Sequence, residues 1–146
     1  MTEVKGRRSL KVAAILLVVS ALIAIIFGLI YCFTQDLMPY HKAYTGLTIA
    51  DIAQFNPKFA FLTMIFLRVI GVYLIGYGIL LAFIAVKGFL KAEKWAWGAV
   101  LTGGLATNLP TLAITYTVKG PWIAALITLI LLVIALILPA KEFFHK

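Results

Sequence analysis

Arg68 sits inside an apolar run that reads Phe66-Leu67-Arg68-Val69-Ile70. A guanidinium carries five N–H donors and no acceptor, and a charge near mid-membrane costs at least about 2.5 kcal/mol on insertion scales. Something in the chain should offset that cost. Counted from Phe59 at 1.5 Å per residue, Arg68 lies roughly 13 Å into its run. Asn108, counted back from Val118, falls at about the same depth. Pro110 has no N–H, so the carbonyl of Ala106 loses its helical partner. Asn108 and that carbonyl are acceptors at matching height, and an Arg68–Asn108 pairing is expected. Thr111, Thr115 and Tyr116 extend a polar track outward beside Asn108, as Thr63 does on the run of Arg68. Tyr40 and His41 stand ahead of that run as candidate rim residues.

This constellation has two readings. In one, Arg68 staples two helices together or snorkels to outer headgroups. In the other, the track is an outward-facing cavity whose ligand is an anionic or polar group: a lipid headgroup, a carboxylate or a quinone oxygen. Intramembrane ionisable residues are functional candidates by default. No acidic residue lies in an apolar run, so a carboxylate relay for protons or sodium lacks its parts. Cys32 is the single cysteine, and His41 and His145 are far apart in sequence, so no metal or haem ligand set is expected. No P-loop, paired-glycine fingerprint or Gly-x-Ser-x-Gly elbow occurs.

The elements that must position these residues are four apolar runs, about 10–33, 59–86, 95–118 and 122–138. Each reaches or approaches the roughly 20 residues needed to cross a bilayer. The chain of 146 residues is 64% hydrophobic and 12% charged, with mean hydropathy +1.08, too apolar to cover a soluble surface. The expectation is an all-α integral membrane four-helix bundle, a single transmembrane domain over 1–146. The first run is too long for a signal core and is read as a retained helix. The net charge of +8 is assigned to membrane flanks rather than nucleic acid.

Basic residues set the orientation. The N-terminus, second loop and C-terminus hold Lys5, Arg7, Arg8, Lys11, Lys87, Lys91, Lys94, Lys141 and Lys146; the first and third loops hold Lys42, Lys58 and Lys119. By the positive-inside rule both termini are cytoplasmic and the chain is a multi-pass cell-membrane protein. Trp95, Trp97, Tyr116 and Trp122 sit at span ends, as an aromatic belt requires. In the first loop, Thr48 and Asp51 form a capping-box pattern with Asp in place of Glu. It predicts a short interfacial helix over 49–55, which Asn56-Pro57 ends. Met38-Pro39-Tyr40-His41 reads as a turn.

Small residues mark close helix contacts in a bilayer. Ser20, Ala24 and Gly28 form a stripe on the first run; Gly71, Gly76, Gly78 and Ala82 cluster on the second; Ala99, Gly103 and Thr107 repeat on the third. The fourth is bulky all round. Runs one to three are expected to pack together, with the fourth facing lipid on most sides.

Arg68-Val69-Ile70-Gly71 followed by Gly76 and Gly78, with Met38-Pro39-Tyr40-His41 ahead, resembles the DoxX-like and related small four-helix membrane proteins of prokaryotes. The resemblance covers 38–78. It implies a four-helix bundle with an arginine near its interior and an association with redox or quinone-linked partners. The leading expectation is a non-enzymatic protein that binds a small amphiphile, lipid or partner helix between spans two and three. Its site would be Arg68, Asn108, Thr111, Tyr116, Tyr40 and His41, with no cofactor unless a quinone. The alternatives are an auxiliary subunit of a membrane redox or transport complex, joined to other membrane proteins or to its own copies, and an enzyme using His41 as acid–base group.

Overall fold

The computed structural model describes residues 2–144. Lys146, and the side chain of Lys5, lie outside the described residues. The four apolar runs become four long helices: α1 (Thr2–Phe33), α4 (Pro57–Lys87), α5 (Lys94–Thr117) and α6 (Trp122–Ile137). Between α1 and α4 come two short helices, α2 (Pro39–Thr45) and α3 (Ile49–Phe55); α7 (Ala140–Phe144) follows α6. A single 3-10 turn, Phe89–Lys91, joins α4 to α5. No strand occurs among the described residues. Two helical stretches are long and apolar enough to cross a membrane, Arg7–Phe33 and Pro57–Lys91. The apolar α6 has 16 residues, and Thr, Gly, Asn and Pro dilute α5.

Local chemistry explains the boundaries. Asn56 caps α4 by accepting from the amides of Lys58 and Phe59, and Pro57 follows at the position where a missing N–H costs nothing. The capping box before α3 is complete. Thr48 Oγ1 accepts from the Asp51 amide at 3.2 Å, and Asp51 Oδ2 accepts from the Thr48 amide at 2.8 Å. The segment read as a turn is instead the start of α2. Pro39 opens that helix, and Gly46 closes it in the left-handed region at φ 72°, a conformation glycine adopts without strain.

Helix α1 is the centre of the bundle. It packs along α4 on one side and α6 on the other, and α5 packs on α6. The α1–α4 contact is antiparallel and very close. A Cβ on Gly71 would stand 2.6 Å from the Gly28 carbonyl, and one on Gly28 would stand 2.7 Å from the Gly71 carbonyl. Only hydrogen at both positions permits this approach.

Two expectations about packing are overturned. Helix α6 is not a lipid-facing outlier: Ala125, Leu132, Ala135 and Leu136 are buried, against α1 and α5. The buried stripe of α5 is Ala96, Val100, Gly104 and Asn108, one residue on from the stripe expected. Gly103 faces open space, whereas a Cβ on Gly104 would stand 2.2 Å from Leu132 Cδ1. One residue turns a helix by about 100°, so both stripes were compatible with a small-residue pattern and only one meets a neighbour.

The closed core lies at the end of the bundle that carries both termini. Ala13, Leu17, Ala85, Phe89, Val100 and Leu132 meet there. Phe143 of α7 seals it edge-on against Phe89 with ring centroids 4.9 Å apart. The Trp97 indole donates to the Leu136 carbonyl at 3.1 Å.

Candidate functional site

At the opposite end, under α2, the four long helices stand apart around a cavity of about 320 Å³. Its existence follows from the packing order. Helices α4 and α5 scarcely touch, so the space between them is left to side chains. The walls are apolar: Ile23 and Phe27 from α1, Ile70 and Leu74 from α4, Ile114 from α5 and Ala124 from α6. Ile70 and Ile114 line the cavity and are also exposed on the outer surface, at 46% and 65%. The cavity therefore opens sideways between α4 and α5.

Its floor is polar. Asn108, 7% exposed, donates from Nδ2 to the Gly104 carbonyl at 2.8 Å and to Tyr77 Oη at 3.2 Å. Its Oδ1 accepts from Thr128 Oγ1 at 2.9 Å. The Gly104 carbonyl can only accept, so it fixes which way the amide points. One residue thereby ties α5 to both α4 and α6. Ser20 reaches the same floor from α1. It is 4% exposed, and its Oγ has no hydrogen-bond partner among the described residues.

The roof is aromatic. The Tyr31 and Tyr40 hydroxyls are hydrogen-bonded to each other, and the His41 ring meets the Tyr40 ring edge-on at 4.4 Å. Tyr40 also lies against Gly120 in the α5–α6 turn, where an added Cβ would meet its ring at 3.1 Å. Burial pushes the His41 imidazole below its ordinary value and the Tyr40 phenol well above its own. His41 is thus neutral near pH 7, and no formal charge lines the cavity. Asp36 fixes the strand of chain that carries this roof. Its Oδ1 accepts from the Leu37 and Ile49 amides at 2.7 and 2.9 Å, and Oδ2 from Lys42 Nζ at 3.1 Å. These bonds, that from Ile49 first, hold its carboxyl below the usual range.

Of the residues picked out by sequence, the cavity gathers Asn108, Thr111, Tyr40 and His41. Tyr116 is elsewhere, exposed and edge-on to Trp122 at 5.9 Å. Arg68 is also elsewhere, and the expected Arg68–Asn108 pairing does not form. Arg68 is exposed on the outer flank of α4 in a shallow groove with Ile65, Val69, Val72 and Tyr73. Its guanidinium has no hydrogen bond or ion pair among the described residues. Arg68 and Tyr77 are nine positions apart, which places them on opposite sides of a helix, about 180° around. Arg68 also stands at another level, its carbonyl facing Cys32 next to the roof while Asn108 meets Tyr77 at the floor, so sequence reasoning gave neither the depth nor the azimuth. It also missed Ser20 as a polar wall, Tyr77 and Thr128. The spacing of Tyr77 from Gly78 was the available signal, since Gly78 marks the α1 contact and Tyr77 flanks it.

The threonine track is less available to a ligand than its composition suggests. Thr107, Thr111 and Thr115 each donate to the carbonyl four residues earlier, at 2.7 to 2.8 Å. Thr63 does the same to Phe59 on α4. Among the described residues no group of three or more His, Cys, Asp or Glu could hold a metal ion. No family model, curated protein or solved structure matches the chain.

Proposed function

We propose that this chain is a four-span membrane protein with both termini cytoplasmic, and that it binds a small lipid-soluble molecule without transforming it. The observation that carries this reading is the cavity of about 320 Å³, at the low end of the volumes typical for small-molecule sites. It has apolar walls, a polar floor and a roof of two tyrosines and a histidine. The membrane setting is supported by the outer surface. Ile15, Leu22, Phe66, Val72, Phe83 and Ile137 are all exposed, a belt that water would not tolerate over so much of a bundle. With the lysine-rich end in the cytoplasm, α2, α3 and the roof face outward, and α3 lies along the outer interface. The lining holds hydroxyls but no carboxylate or thiol beside His41, and the chemistry present suits binding better than turnover. A quinone, as the DoxX-like resemblance implies, is one member of the ligand class.

Mass spectrometry of gently extracted protein tests the reading. A small lipid-soluble molecule should co-purify with the wild-type chain. Ala124→Leu, which fills the cavity, should remove it while the protein still inserts. Labelling of Lys91 from outside intact cells would overturn the orientation.

Arg68 favours a second reading that is compatible with the first. An unpaired guanidinium on an apolar flank fits an auxiliary subunit whose partner helix supplies an acceptor. The apolar runs contain no carboxylate, so a second copy of this chain could not supply a charged one there. Arg68→Met should release a larger complex in mild detergent and leave the cavity ligand bound.

A further inference from the structure

The chemistry of the ligand can be narrowed by asking which hydrogens in the cavity are already used; this step rests on the binding role proposed above. Asn108 Nδ2 donates to Gly104 and to Tyr77, so the Tyr77 oxygen is an acceptor in that bond. The phenolic hydrogen is then free, and Tyr77 donates to nothing among the described residues. Thr128 has Asn108 Oδ1 and the Ala125 carbonyl, both at 2.9 Å, as acceptors for its one hydrogen. The cavity-lining threonines of α5 donate to their own helix. Ser20 does not: its Oγ lies just beneath the cavity surface with no partner among the described residues, and a turn about χ1 would present it to a guest. A buried hydroxyl without an acceptor costs free energy comparable to a lost hydrogen bond. The floor therefore holds two unused O–H donors, one on α1 and one on α4, beside an amide whose own groups are engaged.

We infer that the floor receives an uncharged hydrogen-bond acceptor, a carbonyl oxygen on an otherwise apolar, lipid-soluble molecule, with the Ser20 and Tyr77 hydroxyls donating to it. A carboxylate is also an acceptor, but no cation lines the cavity, and an unpaired charge in apolar surroundings is far costlier than an uncharged carbonyl. An ammonium head has hydrogens where acceptors are required. The body of the ligand runs toward the roof along Ile23, Phe27 and Leu74. Ser20 to Tyr31 spans eleven residues of α1, about 16 Å, which sets the length accommodated.

The test uses the full chain in nanodiscs and four probes of one chain length: 2-tetradecanone, tetradecanoate, tetradecylamine and tetradecane. Binding is read by native mass spectrometry. The ketone should bind about tenfold or more tightly than the other three. Ser20→Ala and Tyr77→Phe should each weaken the ketone roughly three- to tenfold and leave tetradecane unchanged. Neither variant threatens the fold, because Ser20 has no partner to lose and Asn108 keeps Gly104 and Thr128. Two results overturn this assignment and leave the binding role standing: tetradecanoate matching the ketone, or a ketone affinity unmoved in both variants. If none of the four probes binds, and Ala124→Leu changes nothing that co-purifies, the binding role fails and this assignment fails with it.

Discussion

At the terminal end of the bundle, Ala13, Ala85, Ala96 and Ala135 let helices close on Leu17, Phe89 and Leu132. At the α2 end the same four helices leave about 320 Å³ between them. The contrast does not come from hydrophobicity, since both ends are apolar. It comes from which contacts carry small residues. Gly28 and Gly71 keep α1 against α4 at the α2 end, so the pair is anchored along its length. No such contact joins α4 to α5, and there the packing fails to close. A polar cluster occupies that gap, and a short helix covers it.

Substitutions that enlarge side chains should separate the two ends. Gly71→Leu meets backbone on α1 that cannot yield; it should cost about 3 kcal/mol or more and abolish a cooperative melt of the detergent-solubilised protein. Ala135→Leu enters the closed core and should cost about 1–3 kcal/mol. Ala124→Leu, on the same helix but lining the cavity, should be neutral or stabilise by about 0.5–2 kcal/mol. Equal melting losses for Ala124→Leu and Ala135→Leu would erase the distinction between the ends.

Asn108→Leu tests the floor. It removes the donor to Tyr77 and leaves Thr128 only the Ala125 carbonyl, and should cost about 1–3 kcal/mol in the same melt. Next comes pH. The folded His41 has a depressed pKa, so its unfolded form binds more protons below about pH 6.5. The stability of the roof should fall as pH drops from there through the folded value, read as faster amide exchange in α2. His41→Gln should flatten that profile. The smallest effect is local: Thr48→Ala should fray α3 by about 1 kcal/mol and leave the exchange of α1 unaltered.

Much of the helix pattern was legible in the chain. The Thr48–Asp51 pair announces α3, Asn56-Pro57 announces α4, and four apolar runs become four helices. Depth was not: Asn108 bonds Tyr77, nine residues along α4 from Arg68 and so about 13.5 Å away along the axis, because the ends of two runs need not lie in one plane. What the chain also does not carry is rotation about the helix axis. Alanine, glycine and threonine recur so often in α5 that stripes at 99–103–107 and at 96–100–104–108 are equally regular, and only Leu132 across the interface selects the second. Helix α2 was hidden for a different reason. Its seven residues hold no apolar period, and its ends depend on Pro39 and on the αL cap of Gly46. The site was half legible: Asn108, Tyr40 and His41 stand out as polar groups in apolar context. Ser20 looked like a packing residue, since a hydroxyl is nearly as small as a methyl.

Because the gap lies between α4 and α5, flanked by Ile70 and Ile114, the proposed binding role implies that a guest dissolved in the acyl phase would arrive by lateral diffusion without passing through water. Its occupancy would then follow mole fraction in the surrounding leaflet. Titrations against bulk concentration would shift with the amount of lipid present, whereas titrations against membrane mole fraction would superimpose.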